Sequence, residues 1–155
     1  MKKSALSLLC LIIFSIAVHA QSPDNALAKN RDFSGARATQ KSYHAIYQLD
    51  NNDPKIIEKA IRNINNALND PRLAGKVEIE LVAFGGGTDA YIKGSKYEED
   101  LKALVEKGVI VSQCSNTLRE RKISRDQLYD FIAVVPSGNG ELIIRQAEGW
   151  AIVKP

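Results

Sequence analysis

The chain has 155 residues, of which 45% are hydrophobic and 25% are charged, and its formal net charge is +3. A chain of this size fits one domain that buries a core without disulfide bonds. The small net charge does not favour a polyanion-binding surface, so the composition argues against a nucleic-acid-binding protein.

The first twenty residues have the pattern of a secretory signal peptide. Lys2 and Lys3 precede an apolar run, and the sequence VHA at residues 18–20 forms a small-residue cleavage site. The apolar run is shorter than the ~20 residues that a membrane-spanning helix needs. We therefore expect cleavage near Ala20, export to the periplasm or the outside of the cell, and no membrane association afterwards.

Cleavage at this site would leave one cysteine, Cys114, and one histidine, His44. Without Lys2 and Lys3, 19 of the 21 basic residues remain against 18 acidic ones. A single thiol in an exported protein is either reactive or buried and inert. One histidine and one cysteine make no convincing metal site. Because His44 comes early in the first predicted strand, we interpret it as a partly buried residue rather than a general base.

Residues 21–41 are polar and have no sustained period, so we interpret them as a flexible N-terminal segment. The next run, residues 43–49, is rich in aromatic and branched side chains and predicts a strand. Asp53 and Pro54 fit the N-cap and the first position of a helix, which Pro71 ends.

Two Ser-x-x-Glu/Gln patterns predict further helix starts. Ser95 with Glu98 and Ser124 with Gln127 have the spacing of a capping box. Two more helices are predicted, one near residues 116–121 and one that ends at Glu148.

Strand patterns alternate with these helices along residues 42–155, which we take as one domain. The strands are predicted at residues 43–49, 77–84, 109–111, 131–135 and 150–153. Strands that are separated by helices imply crossovers of one hand and a sheet covered on both faces. The expected fold is α/β, a three-layer sandwich with a five-stranded, mainly parallel sheet of the Rossmann-like or flavodoxin-like kind.

Ligands of such sheets bind beyond the carboxyl ends of the strands, where Cys114 is predicted to lie. We expect Ser115 or Asn116 to cap the helix that follows. Unpaired amides and the helix dipole would there lower the thiol pKa into the range of about 3.5 to 7.5 known for activated cysteines. The alternative is a small apolar core residue, since free cysteine is often buried.

Three short segments at the same edge supply candidate substrate-binding residues. The glycine run could bring backbone amides to an anion, or it could simply form a turn with positive φ. The segment from Ser137 could hold an anion at a helix start, or it could only cap that helix. Neither is a dinucleotide fingerprint or a P-loop. The candidates are Gly85, Gly86, Gly87, Ser115, Asn116, Thr117, Ser137 and Gly138.

Three segments together resemble the DsrE/DsrF-like family of sulfur-relay proteins, in particular its small single-domain members. They are GVIVSQCSNTLRERKIS at residues 108–124, VVPSGNGELIIRQAEGWAIVKP at residues 134–155 and VAFGGG at residues 82–87. The resemblance implies a Rossmann-like sandwich that assembles into homo-trimers or hexamers. It also implies a cysteine that accepts sulfur as a persulfide, which corresponds to Cys114 here.

The predicted export signal departs from the family, because its well-known members work in the cytoplasm. Two hypotheses follow. The first is an exported sulfur carrier or sulfurtransferase that uses Cys114, needs no organic cofactor or metal, and exchanges sulfur with a small sulfur-containing donor and a protein thiol acceptor. The second is a non-catalytic module that binds a small anion or another small ligand in the same strand-end pocket.

Overall fold

The computed structural model describes residues 23–155, so the predicted signal peptide and Cys10 lie outside the described residues. The chain divides into two compact units, one that ends at Ala36 and one that spans Arg37–Pro155. Between Pro23 and Pro155, no helix has the length and apolar character required to cross a membrane.

The first unit contains a helix that the sequence analysis did not predict. This helix, α1, spans Pro23–Arg31 and buries none of its residues. Asp24 lies in its first turn, and Lys29 and Arg31 lie in its last turn, so these charges complement the helix dipole. A helix without a buried face has no apolar period, which explains why the sequence pattern indicated a flexible segment.

The second unit contains five strands and four α-helices. The strands are β1 (Tyr43–Leu49), β2 (Val77–Ala83), β3 (Ile110–Cys114), β4 (Ala133–Val135) and β5 (Ala151–Val153). The helices are α2 (Pro54–Asn69), α3 (Glu98–Glu106), α4 (Ser115–Arg121) and α5 (Gly138–Ala147). Two 3₁₀ helices, Gly85–Tyr91 and Arg125–Gln127, lie between them.

The strands form one sheet in the order β4-β3-β2-β1-β5, and every neighbouring pair is parallel. Helices α2, α3 and α4 contribute buried side chains to one core cluster, and α5 contributes to the other. The predicted three-layer α/β sandwich is confirmed. All strands therefore end at the same edge of the sheet, where the candidate residues were expected.

Side chains along β1 alternate between the two faces of the sheet, as the pleat requires. Tyr47 and Leu49 pack in the core on the side of α2 and α3. Ile46 instead packs with Val82 and with Leu142 of α5. The near-continuous apolar pattern of the strands reflects burial on both faces.

The predicted helix starts are only partly confirmed. Asp53 caps α2, and its carboxylate accepts from the Lys55 amide at 2.9 Å. The capping box of Ser124 opens a 3₁₀ helix. The box predicted at Ser95 is wrong, because α3 begins at Glu98 without a side-chain cap. The Ser95 hydroxyl is used elsewhere: it donates to the backbone oxygen of Ala90 at 2.7 Å.

Candidate functional site

Cys114 is the last residue of β3, and α4 begins at the next residue. Cys114 itself is the N-cap of α4, so the prediction that Ser115 or Asn116 would be the cap is wrong. The residue is a free cysteine and is 5% exposed.

The Cys114 side chain lies at a cavity of about 260 Å³ at the carboxyl edge of the sheet. This places a sulfur atom at an opening large enough for a small molecule or for the tip of a side chain. The cavity is lined by Phe84, Gly85, Cys114, Asn116, Thr117, Glu120, Ser137 and Asn139.

Strand pairing brings a second helix start to this cysteine. Cys114 is aligned with Val135 in the β3–β4 register, and α5 begins shortly afterwards at Gly138. The amino ends of α4 and α5 therefore meet at the same side chain.

Two opposing effects act on the thiol. Burial alone would raise the pKa of Cys114, but nearby donors lower it below its ordinary value. These donors are the backbone amides of Gly138, Thr117 and Asn116, together with the Thr117 hydroxyl. Donors of this kind stabilise the thiolate, which lowers the pKa, although the Cys114 side chain makes no capping hydrogen bond to α4 in the structure. A thiolate is the nucleophilic form of cysteine.

The three glycines after β2 do not present their amides to the sulfur, which corrects our expectation. Gly85 N–H donates to Thr117 Oγ1 at 3.1 Å, Gly86 N–H to the Asp50 carbonyl at 3.2 Å, and Gly87 N–H to the Phe84 carbonyl at 3.1 Å. Each amide already has a protein acceptor. Of the three glycines, Gly85 alone lines the cavity, and it alone has a positive φ, of 53°.

Gly86 and Gly87 are small because another part of the backbone passes close to them. A β-carbon on Gly87 would lie 2.1 Å from the Leu49 carbonyl oxygen, and one on Gly86 would lie 3.0 Å from the Asn52 nitrogen. The lack of side chains on these two glycines thus allows the backbone after β2 to pack closely against the end of β1 and the residues that follow it. The plainer interpretation of the run, as a turn, describes them.

The segment at the start of α5 combines both interpretations that the sequence left open. Ser137 caps the helix, since its hydroxyl accepts from the Gly140 amide at 3.1 Å. The Gly138 amide is one of the donors that lower the pKa of the Cys114 thiol. Ser137 also lines the cavity, whereas Ser115 is not among the lining residues.

Three residues that line the cavity were not predicted from the sequence. Glu120 lies four residues after Asn116 on α4, so helical periodicity could have placed it on the same side. Asn139 lies within the Ser137 segment. Phe84 was assigned to the strand core, and nothing in its pattern indicated contact with the site.

Gln113 is another residue that the sequence did not single out. It is fully buried, and its Nε2 donates to Thr88 Oγ1 and to the Cys114 backbone oxygen, both at 3.0 Å. These bonds hold the end of β3 in place from the face opposite α5.

His44 lies away from the cavity, as expected. Its ring packs against Trp150 with centroids 5.2 Å apart, and its Nε2 is 3.7 Å from a Glu78 carboxylate oxygen. Within residues 23–155, no three His, Cys, Asp or Glu side chains are grouped so that they could hold a metal ion.

A family model for the DsrE/DsrF-like family matches residues 29–155, which is most of the chain. The chain belongs to the DsrE/DsrF-like family. The resemblance carried by the cysteine segment and the C-terminal segment is therefore confirmed.

Solved structures agree with this DsrE/DsrF-like assignment. The chain is 34% identical to the protein of unknown function MTH1491 from Methanobacterium thermoautotrophicum, with a TM-score of 0.70 over 74% of this chain and 100% of that one. The ychN protein from E. coli shares the fold at 15% identity and a TM-score of 0.58, covering 75% of this chain and 100% of its own. The protein BT1422 from Bacteroides thetaiotaomicron shares it at 10% identity and 0.59, covering 78% and 100%. No curated protein matches the sequence.

Proposed function

We propose that this DsrE/DsrF-like protein is a sulfur carrier or sulfurtransferase in which Cys114 is the nucleophile. Family membership supports a role in sulfur relay. The observation that carries the proposal is the Cys114 thiol at a cavity, with a pKa lowered by donors from the starts of two helices.

The proposed reaction is an exchange of sulfur between thiols. The Cys114 thiolate attacks the outer sulfur of a donor persulfide, R–S–SH. A new S–S bond forms at Cys114, the S–S bond of the donor breaks, and its electron pair leaves on the donor thiolate. An acceptor thiolate then attacks the outer sulfur of the Cys114 persulfide and regenerates the Cys114 thiolate. The exchange is balanced without a cofactor or metal.

A lowered thiol pKa suits both halves of this exchange. More of the thiol is ionised for the first attack, and a thiolate of low pKa is a better leaving group in the second. Of the candidates predicted from the sequence, we assign contact with the incoming sulfur compound to those that line the cavity or act on the thiol: Gly85, Asn116, Thr117, Ser137 and Gly138.

The direct test is sulfur uptake. The protein is incubated with polysulfide and, separately, with thiosulfate, and the peptide that contains Cys114 is then weighed by mass spectrometry. We expect a gain of one sulfur atom on that peptide, which an acceptor thiol removes. Cys114→Ser is the control. Equal uptake by both proteins, or no uptake by either, would contradict the carrier function.

The second hypothesis, a non-catalytic binding module, predicts a different result. A thiol that resists alkylation and sulfur uptake, in a protein that still binds a small anion in the cavity, would favour it. Asn116, Ser137 and Asn139 offer neutral polar groups to such a ligand, whereas the Glu120 carboxylate in the same lining opposes an anion.

Two further parts of the proposal concern the cell rather than the chemistry. We propose export, motivated by the sequence of residues 1–20, and N-terminal sequencing of protein from the periplasm or culture medium tests it.

We also propose a homo-trimer or hexamer, in keeping with the family. Ile143 and Ile144 on α5 are 69% and 55% exposed and would be covered in such an assembly. Light scattering of the purified protein measures its mass.

A further inference from the structure

Both backbone polar groups of Gly85 are held by side chains of α4. The Gly85 amide donates to Thr117 Oγ1 at 3.1 Å, and the Gly85 carbonyl accepts from Arg121 Nη1 at 2.9 Å. Thr117 and Arg121 are one turn apart on this helix. The glycine that follows β2 is therefore fixed relative to the helix that follows Cys114.

Arg121 is itself held in place. Its Nη2 donates to Asp89 Oδ1 at 2.6 Å, and the other Asp89 carboxylate oxygen accepts from Asn52 Nδ2 at 3.0 Å. The Arg121–Asp89 pair connects α4 to the 3₁₀ helix Gly85–Tyr91. Each of the two side chains is 36% exposed. An ion pair with this exposure contributes little to fold stability.

The Gly85 amide decides where the Thr117 hydroxyl hydrogen points. A hydroxyl oxygen has one hydrogen to donate and two lone pairs that accept. Because the Thr117 oxygen accepts from Gly85, its hydrogen points away from that amide. Thr117 is 6% exposed, and it lines the same cavity as Cys114. The Thr117 hydroxyl is one of the donors that lower the pKa of the Cys114 thiol.

We propose that Arg121 and Asp89 are positioning residues for the cysteine site: they hold Gly85 where its amide orients the Thr117 hydroxyl toward the Cys114 sulfur. The Gly85 amide then contributes to the site through Thr117 rather than by donating to the substrate itself. This inference rests on the proposed function only for the identity of Cys114 as the reacting group.

The test is the pH dependence of Cys114 alkylation, followed by mass spectrometry of the peptide that contains Cys114 so that Cys10 does not interfere. The variants are Thr117→Val, Thr117→Ser, Arg121→Gln, Arg121→Lys and the double variant Thr117→Val/Arg121→Gln. Arg62→Gln, an exposed arginine on α2, is the matched control for loss of a positive charge. Thermal unfolding of each variant is recorded in parallel.

Under our inference Thr117→Val removes the hydroxyl that donates to the thiolate, so we expect the midpoint of alkylation to rise by about one pH unit. Thr117→Ser keeps the hydroxyl and should retain the wild-type midpoint. Arg121→Gln should raise the midpoint by roughly half a unit, about a threefold loss of rate below it. Arg62→Gln should leave it unchanged.

The double variant distinguishes an effect of Arg121 through the position of Thr117 from a direct effect of the Arg121 charge on the thiol. If Arg121 acts through Thr117, then Arg121→Gln has no further effect once Thr117 is valine. A purely Coulombic effect of Arg121 would persist in that background, and Arg121→Lys would then resemble wild type. Under our inference the midpoint of Arg121→Lys resembles that of Arg121→Gln. The lysine ammonium lacks the planar guanidinium that donates to Gly85 and Asp89 at the same time.

Three outcomes would overturn the inference: a Thr117→Val midpoint equal to wild type, additive effects in the double variant, or a wild-type profile for Arg121→Lys. If Arg121→Gln does not fold, Arg121→Lys replaces it in the cycle. A wild-type midpoint at the ordinary thiol value would instead contradict the proposed function. The two failures are thus distinguishable.

Discussion

Gly138 and Phe84 are in such close contact that a β-carbon placed on Gly138 would lie 2.6 Å from Cδ1 of the Phe84 ring. Phe84 follows β2 directly, and Gly138 is the first residue of α5. The absence of a side chain at residue 138 therefore allows α5 to begin beside the ring and close to the thiol.

The first prediction is that Gly138→Ala raises the pKa of Cys114 and destabilises the fold. The new methyl group must displace either the Phe84 ring or the start of α5, and overpacking of this kind costs about 1 to 3 kcal/mol. Displacement of α5 also moves the Gly138 amide away from the thiol. Urea unfolding measures the first effect, and the pH profile of Cys114 alkylation measures the second.

Gly140→Ala is the matched control for this substitution. Gly140 lies in the same turn of α5, where a β-carbon would meet only the Ser137 side chain, at 3.2 Å. Its alkylation profile should stay closer to wild type than that of Gly138→Ala. Identical profiles for the two variants would show that the Gly138 amide does not act on the thiol.

The second prediction concerns a buried ion pair between the sheet and α5. Glu80 on β2 is 1% exposed, and its carboxylate accepts from Arg145 Nε at 2.9 Å and from the Ser112 hydroxyl at 2.6 Å. Arg145 also stacks on the Trp150 ring, 4.1 Å from its centroid. Removal of one partner leaves the other charge buried and uncompensated.

Arg145→Gln should therefore destabilise the protein by about 3 kcal/mol, the lower end of what a broken buried pair costs, because Glu80 can take up a proton. Urea unfolding measures the loss. Adding Glu80→Gln should restore part of this loss, since the most deeply buried carboxylate is then neutral, while Glu141 still lacks the partner it had in Arg145. As a comparison, Lys96→Gln removes the exposed Lys96–Glu58 pair and should change the free energy of unfolding only slightly.

The third prediction is a pH dependence that comes from Glu80. Burial raises the pKa of Glu80 above its ordinary value of 4.5, and the nearby Glu141 adds to this, while Ser112 and Arg145 oppose it. The folded state therefore holds this proton at a pH where the unfolded chain has released it. The contribution of Glu80 to stability falls as pH rises from its ordinary value through its folded pKa.

A glutamine at residue 80 does not titrate. The free energy of unfolding of Glu80→Gln minus that of wild type should therefore rise with pH across this window and then level off. Urea unfolding of both proteins, in a pH series that begins below 4.5, measures the difference. A constant difference across the series would refute the assignment of the raised pKa.

Much of the fold could be predicted because the strands and helices have strong periods. The predicted first strand has the bounds of β1, Tyr43–Leu49, and the placement of Cys114 between a strand and a helix is confirmed. Parallel pairing followed from the helices between strands. The helix α1 could not be predicted, because it buries no face and so leaves no apolar period.

The site was harder to predict than the fold, because it depends on contacts between distant segments. The sequence indicated that the glycine run and Cys114 lie at one edge of the sheet. It did not indicate that the Thr117 hydroxyl oxygen accepts a hydrogen bond from the Gly85 amide. Nor could it indicate the approach of Gly138 to Cys114, which depends on the β3–β4 register. Hydrogen bonds already made within the protein decide which amides remain free for a ligand, and only the three-dimensional structure contains them.

The last prediction concerns the contact between the ends of β1 and β2. A β-carbon on Gly87 would lie 2.1 Å from the Leu49 carbonyl oxygen and 2.6 Å from its carbon, so the obstacle is backbone that cannot rotate away. Gly87→Ala should destabilise the fold by about 3 kcal/mol or more, at the upper end of overpacking effects. Gly86→Ala, whose β-carbon would meet backbone only at 3.0 Å, should cost less. Urea unfolding of both variants ranks them, and the reverse order would show that the two strand ends are not packed through Gly87.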